Sequence, residues 1–340
     1  MSRITVALCT YDRYSYLADA LAGLARQTLA PGDYRILVVD NSPDRATAED
    51  FAGRHRGVPN LDYRFADQPG LSNARNAALA ACASELIAFI DDDAIARPAW
   101  LERLVEAFDA LGPAAAVVGG TVELLWPAPR PPWLSDTLLS HLSAVNWGGQ
   151  RRQLQPPEEW LVGTNIAYRR DALAAVGGFS PFLGRYGHGG ALLSNEEVDT
   201  VDRMRAAGGM AFFEPAAIVD HTVHPDRLTP AWFRRRVAWQ EISEAIARTR
   251  NGTGMLANGA DAGGDQLRVT AAVAAALAAM CRPTDDPEQF QGQIFDIGAL
   301  IKALINYGMP PEAPARHADT RTTPSWAQRL SWPLGPRSRH

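Results

Sequence analysis

Three consecutive carboxylates, Asp91, Asp92 and Asp93, directly follow the apolar run at 86–90 in the stretch "LIAFIDDDA". Neighbouring carboxylates repel one another, and each raises the pKa of the next. A chain tolerates such a run in open water, as a plain acidic turn, or where a cation lies among the acids. Mg²⁺ and Mn²⁺ suit carboxylate ligands and are often held together with substrate phosphates. The run therefore predicts a site for a divalent cation and a diphosphate.

A second acidic cluster, "LSNEEVDTVDRM" at 193–204, follows a glycine-rich loop at 184–190. Ser194 and Glu197 have the spacing of a capping box, in which both side chains satisfy backbone groups at a helix start. A carboxylate behind a closing loop also suits a general base beneath a lid. The residues alone leave both interpretations open for Glu196 and Glu197.

Three further side chains have chemistry to offer. Ser72 is predicted to cap a helix over 73–82, which places Arg75 in its first turn, where a cation opposes the helix dipole. We therefore expect either an ordinary surface arginine, which the position tolerates, or an anion near Arg75, such as a nucleotide phosphate or a base edge. His221 and His224 follow a short predicted strand, and an imidazole there is either structural or a further metal ligand.

The elements that position these residues alternate between strand and helix. This order is typical of a doubly wound, mostly parallel α/β sheet, in which ligands bind beyond the carboxyl ends of the strands. Thr10, Asp40 and Asp91 all fall at such ends. The predicted strands are 3–9, 35–39, 61–65, 86–90 and 115–119, and the predicted helices are 14–27, 45–55, 73–82 and 98–110.

The remaining sequence is less regular. A Trp- and Pro-rich excursion is predicted at 126–160, and a helical C-terminal extension at 226–309. The other predicted elements are strands in 161–169, 211–213 and 218–219, helices over 171–176, 195–207, 229–249, 266–280 and 287–306, a linker near 251–265 and a loosely ordered tail at 310–340. The predicted catalytic domain is 1–225, with a nucleotide-binding half (1–120) and a sugar and acceptor half (121–225).

Composition excludes some classes of protein. A formal net charge of −5 over 340 residues disfavours a protein that coats nucleic acid. Cys9, Cys82 and Cys281 match no zinc spacing and fit a reducing cytoplasm. The N-terminal apolar run is too short for a signal peptide, and no apolar run is long enough to span a membrane. The basic and aromatic stretch "PAWFRRRVAW" at 230–239 suggests a peripheral contact with anionic lipid at the inner face of the membrane, against the alternative of an ordinary packed helix.

The order and spacing of five stretches resemble a family 2 glycosyltransferase with a GT-A fold, over about residues 3–245. They are "VALCTYDR", "ILVVDNSPD", "PGLSNARNAALAACASELIAFIDDDA", "GTNIAYRRDAL…VGGF" and "NEEVDTVDRM". The resemblance implies an enzyme that uses a UDP- or GDP-sugar donor with Mn²⁺ or Mg²⁺ and transfers the sugar to an acceptor hydroxyl with inversion. The acceptor cannot be read from the residues.

The resemblance also implies roles for individual residues, because Asp91–Asp93 stands where the family has its DxD motif. The implied nucleotide-binding residues are Thr10, Tyr11, Asp12, Asp40, Arg75, Asp91 and Asp92; the sugar-binding residues are Gly163, Thr164 and Asn165; the metal ligands are Asp91, Asp93 and His221; and the catalytic base is Glu197 or Glu196.

Some features depart from the family pattern. Asn41 replaces an acid after Asp40, and Glu196-Glu197 replaces a Glu-Asp pair, which leaves the identity of the base open. The Gln-x-x-Arg-Trp motif of processive synthases is missing, so a non-processive enzyme is expected. Two alternatives are a sugar nucleotidyltransferase, which would carry a glycine-rich basic loop after the first strand, and a nucleotide-sugar-binding protein without activity.

Overall fold

A mixed sheet forms the centre of the computed structural model, which describes residues 2–187, 191–250 and 280–306. Its nine strands in this part of the chain are β1 (Ile4–Thr10), β2 (Tyr34–Asp40), β3 (Leu61–Phe65), β4 (Leu86–Asp91), β5 (Ala94–Ala96), β6 (Ala115–Leu125), β7 (Arg152–Gln153), β8 (Ile166–Arg169) and β9 (Met210–Thr222). The strand order is β3-β2-β1-β4-β8-β6-β9-β5, with β7 also on β9. The first four strands in this order are parallel, and β8 is antiparallel to both of its neighbours. The predicted α/β class with a mostly parallel sheet is confirmed.

Helices cover both faces of this sheet. They are α1 (Tyr14–Leu24), α2 (Arg45–Arg54), α3 (Leu71–Ala81), α4 (Trp100–Leu111), α5 (Arg170–Ala175), α6 (Glu196–Ala206), α7 (Pro230–Arg250) and α8 (Pro287–Asn306), with 3₁₀ helices at Asp136–Leu142 and Pro225–Arg227. α1 and α4 pack in the hydrophobic core on one face, and α3 packs in the core on the other. Because β1 and β4 are buried from both sides, their sequences are almost continuously apolar.

The register of the central strands brings the polar residues to one edge. Thr10 is level with Asp40 on β2, and Cys9 is level with Asp91 on β4. These residues end their strands in the same direction, because parallel strands share a carboxyl edge. The sheet therefore gathers residues that are far apart in sequence, as the alternation of elements predicts.

Two local predictions are wrong. The two short strands at 211–213 and 218–219 are one strand, β9, whose register against β6 shifts between Gly120 and Thr121. Helix α3 begins at Leu71, with Gly70 in the capping position at φ 110°, so Ser72 is not the cap. The Ser72 hydroxyl instead donates a 2.7 Å hydrogen bond to the carbonyl of Leu183, the residue before the glycine-rich loop.

The C-terminal helices form a third core with the Trp- and Pro-rich excursion. Trp133 lies between Phe233 of α7 and Phe290 of α8, with ring centroids 5.4 and 4.6 Å from its own. Trp147 packs edge-on against Trp160 and donates to its carbonyl oxygen at 2.8 Å. These tryptophans are packing residues, while the boundary of the catalytic domain at 225 remains a prediction.

The stretch predicted to meet a lipid surface is mostly turned inward. Phe233 is fully buried and Trp239 is 8% exposed, so the third core takes two of its three aromatic side chains. Among the described residues, no helix has the length and apolar character needed to cross a membrane. The predicted linker at 251–265, the helix at 266–280 (except Met280) and the tail at 310–340 lie outside the described residues.

Candidate active site

A cavity of about 470 Å³ opens at the carboxyl edge of the sheet. Both acidic clusters of the sequence reach it, one from β4 and one from the start of α6. The predicted site residues that line it are Thr10, Tyr11, Arg75, Asp91, Asp92, Asp93, Gly163, Thr164, Glu196, Glu197 and His221. Three predicted residues, Asp12, Asp40 and Asn165, do not line it.

Asp91, Asp93 and His221 form a cluster that can hold a metal ion. One ligand atom from each lies within 4.8 Å of the other two. His221 comes from β9, which β5 places beside the aspartates, since Ala94 is level with His221. Two carboxylates and an imidazole form a donor set suited to Mn²⁺, and the carboxylates also suit Mg²⁺.

The hydrogen bonding of this cluster fits a cation. The Nδ1 atom of His221 lies 2.9 Å from the carbonyl oxygen of Leu142, so it donates there, and in the neutral ring Nε2 is left as an acceptor. That Nε2 atom lies 3.3 Å from Oδ1 of Asp93, a buried oxygen with no hydrogen-bond partner. Two acceptors that face each other in a buried place are stabilised by a cation between them. The residues present therefore fit the predicted metal.

The second oxygen of Asp93 is held by three basic groups. Arg13 donates to Oδ2 at 2.5 Å, His224 lies 2.9 Å away and Arg227 3.5 Å away. Burial alone would raise the pKa of Asp93, but when no metal is bound its attraction to a protonated His221 imidazole, with His224 and Arg13, holds it well below its usual range. Asp93 is therefore ionised, as a metal ligand must be.

Asp92 has a different environment from its neighbours. The Thr10 hydroxyl donates to Oδ2 at 2.7 Å and Arg13 donates to Oδ1 at 2.9 Å. Burial raises the pKa of Asp92 to about 7 despite Arg13, and the adjacent Asp93 adds to the rise. Of the three consecutive aspartates, Asp92 is thus bonded to Thr10 and Arg13, while Asp91 and Asp93 belong to the cluster that can hold a metal ion.

Arg75 links the metal cluster to the second acidic cluster. This buried guanidinium donates to Glu196 at 2.7 Å and lies 3.4 Å from Asp91. Burial alone would lower its pKa, but Glu196 and Asp91 raise it. An anion near Arg75 was expected, and in the structure protein carboxylates supply it. Whether Arg75 also contacts a nucleotide remains a prediction.

The predicted sugar-binding residues behave differently from one another. The Thr164 hydroxyl donates to Oδ2 of Asp91 at 2.6 Å. Gly163 leaves room for Arg75, because a Cβ atom there would lie 2.2 Å from an Arg75 nitrogen. Asn165 is fully buried. Its side chain accepts a 2.8 Å hydrogen bond from Trp100 and donates to two backbone carbonyls, so both of its polar atoms are bonded within the fold.

Some of the residues predicted to bind the nucleoside line the cavity, and others lie beside it. The buried Asp40 accepts from the Ser42 hydroxyl and the Tyr63 hydroxyl, both at 2.5 Å, and from Tyr14 at 3.2 Å. Asp12 has a left-handed backbone with φ 56° and donates its N–H to Ser42 at 2.8 Å. Asp40 thus orders the turn beside Tyr11, and its contact with a base remains a prediction.

The two glutamates of α6 have separate environments. The capping box does not form: Asn195 occupies the cap position in a left-handed conformation and makes no side-chain cap bond. Glu196 is held by Arg75, whereas Oε2 of Glu197 is buried without a hydrogen-bond partner. Burial raises the pKa of Glu197 to about 8, and the adjacent Glu196 adds to the rise. Glu197 therefore has the free oxygen and the raised pKa of a general base.

Several cavity residues were given no site role from the sequence. Among them are the basic residues Arg13, Arg185, Arg227 and Arg236, while His224 was considered as a metal ligand together with His221. Arg13 had a usable signal, because it directly follows the predicted nucleoside turn, and His224 lies three residues after His221. The sequence offers no signal for Arg185, Arg227 and Arg236, since surface arginines are common and only tertiary packing turns these three inward.

A comparison with protein families assigns this chain. The sequence model of "Glycosyl transferase family 2" matches residues 5–177, half of the chain. The chain therefore belongs to family 2 of the glycosyltransferases and is a transferase, as the sequence stretches and the paired acidic clusters indicate. This assignment favours a glycosyltransferase over the nucleotidyltransferase and over a binding protein without activity.

Three curated proteins are similar to this chain, and two of them are named as glycosyltransferases. The chain is 26% identical over 247 residues to a glucosyl-dolichyl phosphate glucuronosyltransferase of Haloferax volcanii, covering 72% of this chain and 77% of the relative. It is 29% identical to the succinoglycan biosynthesis protein ExoM of Rhizobium meliloti, covering 68% and 71%. It is 31% identical to a pre-mycofactocin glycosyltransferase of Mycobacterium tuberculosis, where the match covers 66% of this chain and only 45% of the relative.

Solved structures confirm the fold. A mannosyltransferase from Pyrobaculum calidifontis, in complex with GDP-Man and Mn²⁺, aligns with a TM-score of 0.56 at 19% identity, covering 89% of this chain and 86% of the other. TarS from S. aureus aligns with a TM-score of 0.50 at 16% identity, covering 90% and 89%. The predicted GT-A fold is thus confirmed.

Proposed function

We propose that this protein transfers a single sugar from a nucleotide-diphosphate sugar to an acceptor hydroxyl, with a divalent cation and with inversion at the anomeric carbon. The observation that carries the proposal is the placement of two acidic groups in one cavity. The Asp91–Asp93–His221 cluster lies at the carboxyl edge of the sheet, and Glu197 enters the same cavity from α6.

The metal cluster serves the leaving group. Asp91, Asp93 and His221 are the residues that would hold Mn²⁺ or Mg²⁺. A bound divalent cation stabilises the negative charge that develops on the leaving diphosphate. Arg13, His224 and Arg227 keep Asp93 ionised and fixed in orientation, and Thr164 orients Asp91 through its hydroxyl. The protein thus preorganises the ligands before the donor arrives.

Glu197 serves the nucleophile. An acceptor hydroxyl is a poor nucleophile and needs a base within hydrogen-bond reach. The Oε2 atom of Glu197 has no hydrogen-bond partner and can accept the proton of the hydroxyl, whereas Glu196 accepts a 2.7 Å hydrogen bond from Arg75. We therefore assign the base to Glu197 and assign to Glu196 the positioning of Arg75. Attack from the face opposite the diphosphate gives the inverted product.

The donor of the relatives narrows the search for a substrate. The Pyrobaculum structure holds GDP-Man with Mn²⁺, and the Haloferax relative is named as a glucuronosyltransferase that acts on a glucosyl-dolichyl phosphate. A UDP- or GDP-sugar with Mn²⁺ is therefore the first donor to test on this chain.

The test uses water as a surrogate acceptor. The protein is incubated with UDP-glucose, UDP-glucuronate, UDP-N-acetylglucosamine or GDP-mannose, each with Mn²⁺ or with EDTA, and the released sugar is followed by proton NMR. We expect slow, Mn²⁺-dependent hydrolysis of one donor in which the first sugar released has the inverted anomeric configuration. Release with the donor's own configuration would contradict inversion, and absence of both hydrolysis and donor binding across a wider panel would contradict the transferase proposal.

A further inference from the structure

Two arginines of the cavity lack an acidic partner. Five arginines line the cavity, and three of them have carboxylate partners: Arg13 with Asp92 and Asp93, Arg75 with Glu196 and Asp91, and Arg227 with Asp93. Arg185 and Arg236 form no ion pair with any described residue.

The guanidinium groups of these two arginines are also poorly satisfied. The Nη1 atom of each is buried and has no hydrogen-bond partner among the described residues. A buried donor that carries a positive charge and makes no hydrogen bond is costly, and removing such an atom from water is expected to require compensation. Compensation from a ligand is the simplest explanation, since both atoms belong to residues of the cavity wall.

Both arginines are surrounded by basic groups as well as by the glutamates of α6. Burial lowers the pKa of Arg185 to about 9, with Arg236 and Arg227 adding to the fall, and burial lowers the pKa of Arg236 to about 10. Burial also lowers the pKa of His141, another cavity residue, to about 4, and Arg236 contributes. The arginines remain cationic at neutral pH, and His141 is neutral and free of added charge.

The position of the pair relative to the two acidic clusters indicates which substrate it meets. Arg236 lies on α7, and the carboxylates that act on it most strongly are Glu197 and Glu196, whereas Arg185 is acted on by Glu196 and also by Asp91. A general base must lie within reach of the acceptor hydroxyl, so groups beside Glu197 face the acceptor. In a displacement with inversion, the acceptor and the diphosphate approach the anomeric carbon from opposite faces.

We propose that Arg185 and Arg236 form an anion subsite that binds an oxyanion, phosphate or carboxylate, carried by the acceptor. The proposal deepens the proposed function and rests on its assignment of Glu197 to the acceptor side. Two guanidinium groups from different segments, the glycine-rich loop and α7, are suited to grip one such group through charge-assisted hydrogen bonds. The acceptor is then an acidic hydroxyl compound, such as a sugar phosphate, a lipid-linked phosphate or a uronic acid.

The first experiment measures anion binding without the donor. Inorganic phosphate and acetate are titrated into the full chain in EDTA at constant ionic strength, with chloride as the reference, and affinity is followed by thermal unfolding. We expect phosphate, acetate or both to stabilise the wild type, and Arg185→Gln and Arg236→Gln to weaken this binding at least tenfold. The exposed neighbour Arg235 supplies the matched control, Arg235→Gln, which should bind like the wild type.

The second experiment separates the acceptor from the donor. UDP and GDP are titrated into the same variants with Mn²⁺, and we expect their affinities to change less than threefold. A tenfold loss of nucleotide affinity, with phosphate competing for the same site, would assign the arginines to the donor diphosphate and overturn the proposal. If no nucleotide binds to any variant, the proposed function fails, while the phosphate and acetate titrations still decide the subsite.

Stability without ligand gives a third readout. Since neither arginine forms an ion pair with the described part of the chain, the glutamine variants should unfold at the same temperature as the wild type or higher. A clear loss of stability would show that the arginines are structural. Unchanged anion binding in both variants, no anion binding by the wild type, or equal loss in Arg235→Gln would each overturn the subsite.

Discussion

Two walls of one cavity differ in how their charges are balanced. On the wall at the end of β4, Asp92 and Asp93 both pair with Arg13 through contacts of 2.5 to 2.9 Å. On the wall formed by the glycine-rich loop and α7, Arg185 and Arg236 have no acidic partner among the described residues. The first wall is preorganised by the protein itself, and the second is complete only with a ligand.

The wall at the end of β4 is therefore suited to catalysis, and the wall with Arg185 and Arg236 is suited to recognition of a substrate. Preorganised charges at the metal end cost no rearrangement when the leaving group develops its charge. Unpaired arginines at the other end carry a cost in the free protein that the correct substrate removes, which favours that substrate over a neutral one. Glu197 lies between the two walls and has features of both, because it is half-buried and its buried Oε2 atom has no hydrogen-bond partner.

The largest expected effect comes from breaking the metal wall. Asp93→Asn keeps the shape of the side chain but removes the charge that Arg13, His224 and Arg227 surround. We expect Mn²⁺-dependent donor hydrolysis to fall about a thousandfold or more, since metal stabilisation of a leaving group is worth several kcal/mol and each 1.36 kcal/mol is a factor of ten. The rate is measured by release of nucleoside diphosphate.

A surface variant controls for the loss of one carboxylate. Asp62 forms an exposed 2.7 Å pair with Arg35, and Asp62→Asn should keep the full rate. Thermal unfolding checks that Asp93→Asn is folded, and His221→Gln supplies an independent change to the cluster. Full Mn²⁺-dependent activity in both Asp93→Asn and His221→Gln would exclude the metal assignment.

The next effect separates the two glutamates. Glu197→Gln cannot accept a proton, so turnover should fall by about 10²–10⁴-fold while nucleotide affinity is kept. Glu196→Gln should act mainly on stability, because a buried Arg75 loses an ionised partner, at a cost of about 3 kcal/mol. Turnover is measured under saturating donor, and stability by urea unfolding. If Glu196→Gln lost turnover at full stability and Glu197→Gln kept it, the two roles would be exchanged.

A smaller effect tests the link between the walls. Gly163→Ala would place a Cβ atom 2.2 Å from Arg75, so the guanidinium must move away from Glu196 and Asp91. We expect a loss of stability of about 1–3 kcal/mol, the usual cost of overpacking a buried position. Gly149→Ala is the matched control, because a Cβ there meets nothing within 4 Å. Equal stability of the two variants would show that Arg75 is not held by this close approach.

The smallest effect is the dependence on pH. Burial raises the pKa of Glu197 to about 8, so the fraction of active base, and with it the hydrolysis rate, should rise about tenfold per pH unit from pH 6 and level off above about pH 8. Glu197→Gln should lack this rise. A rate that is independent of pH between 6 and 8 in the wild type would contradict a base with this pKa.

Stability should follow the opposite direction. The folded protein binds a proton at Glu197 between its ordinary pKa of 4.5 and about 8, where the unfolded chain has lost it. The free energy of unfolding of the ligand-free protein should therefore fall as pH rises through this window. Asp92, with its pKa raised to about 7, contributes in the same direction. Thermal unfolding of wild type and Glu197→Gln at pH 5 and pH 8 measures the contribution of Glu197.

The sequence predicts several elements of the fold well because local patterns determine them. The strand at 86–90 and the helix at 287–306 were predicted within one residue of their observed bounds, since continuous apolar runs and helical spacing are local signals. β9 was predicted as two pieces because Pro215 interrupts its pattern, and only pairing with β6 carries the strand through. Ser72 was predicted as a cap because nothing local shows its bond to Leu183.

The candidate site shows the same difference between residues with a local sequence signal and residues placed by tertiary contacts. The acids at 91–93 and 196–197 stand out because like charges in a row are unusual, so the sequence shows them. Arg236 stands out only as part of the basic stretch at 230–239, because its place in the cavity depends on α7 folding back over it, a tertiary event with no local pattern. Asn165 was predicted to meet the sugar, yet its bonds to Trp100 and two carbonyls consume its side chain, a contact between distant segments that the sequence does not display.

The metal assignment is tested most directly by the effect of Asp93 on the linkage between metal binding and nucleotide binding. The affinity of UDP and GDP is measured by calorimetry in wild type and Asp93→Asn, each with Mn²⁺ and with EDTA. We expect Mn²⁺ to strengthen the binding of one of these nucleotides at least tenfold in the wild type and to leave the nucleotide affinity of Asp93→Asn unchanged. Equal nucleotide affinity in Mn²⁺ and in EDTA for the wild type, or the same Mn²⁺ effect in both proteins, would contradict it.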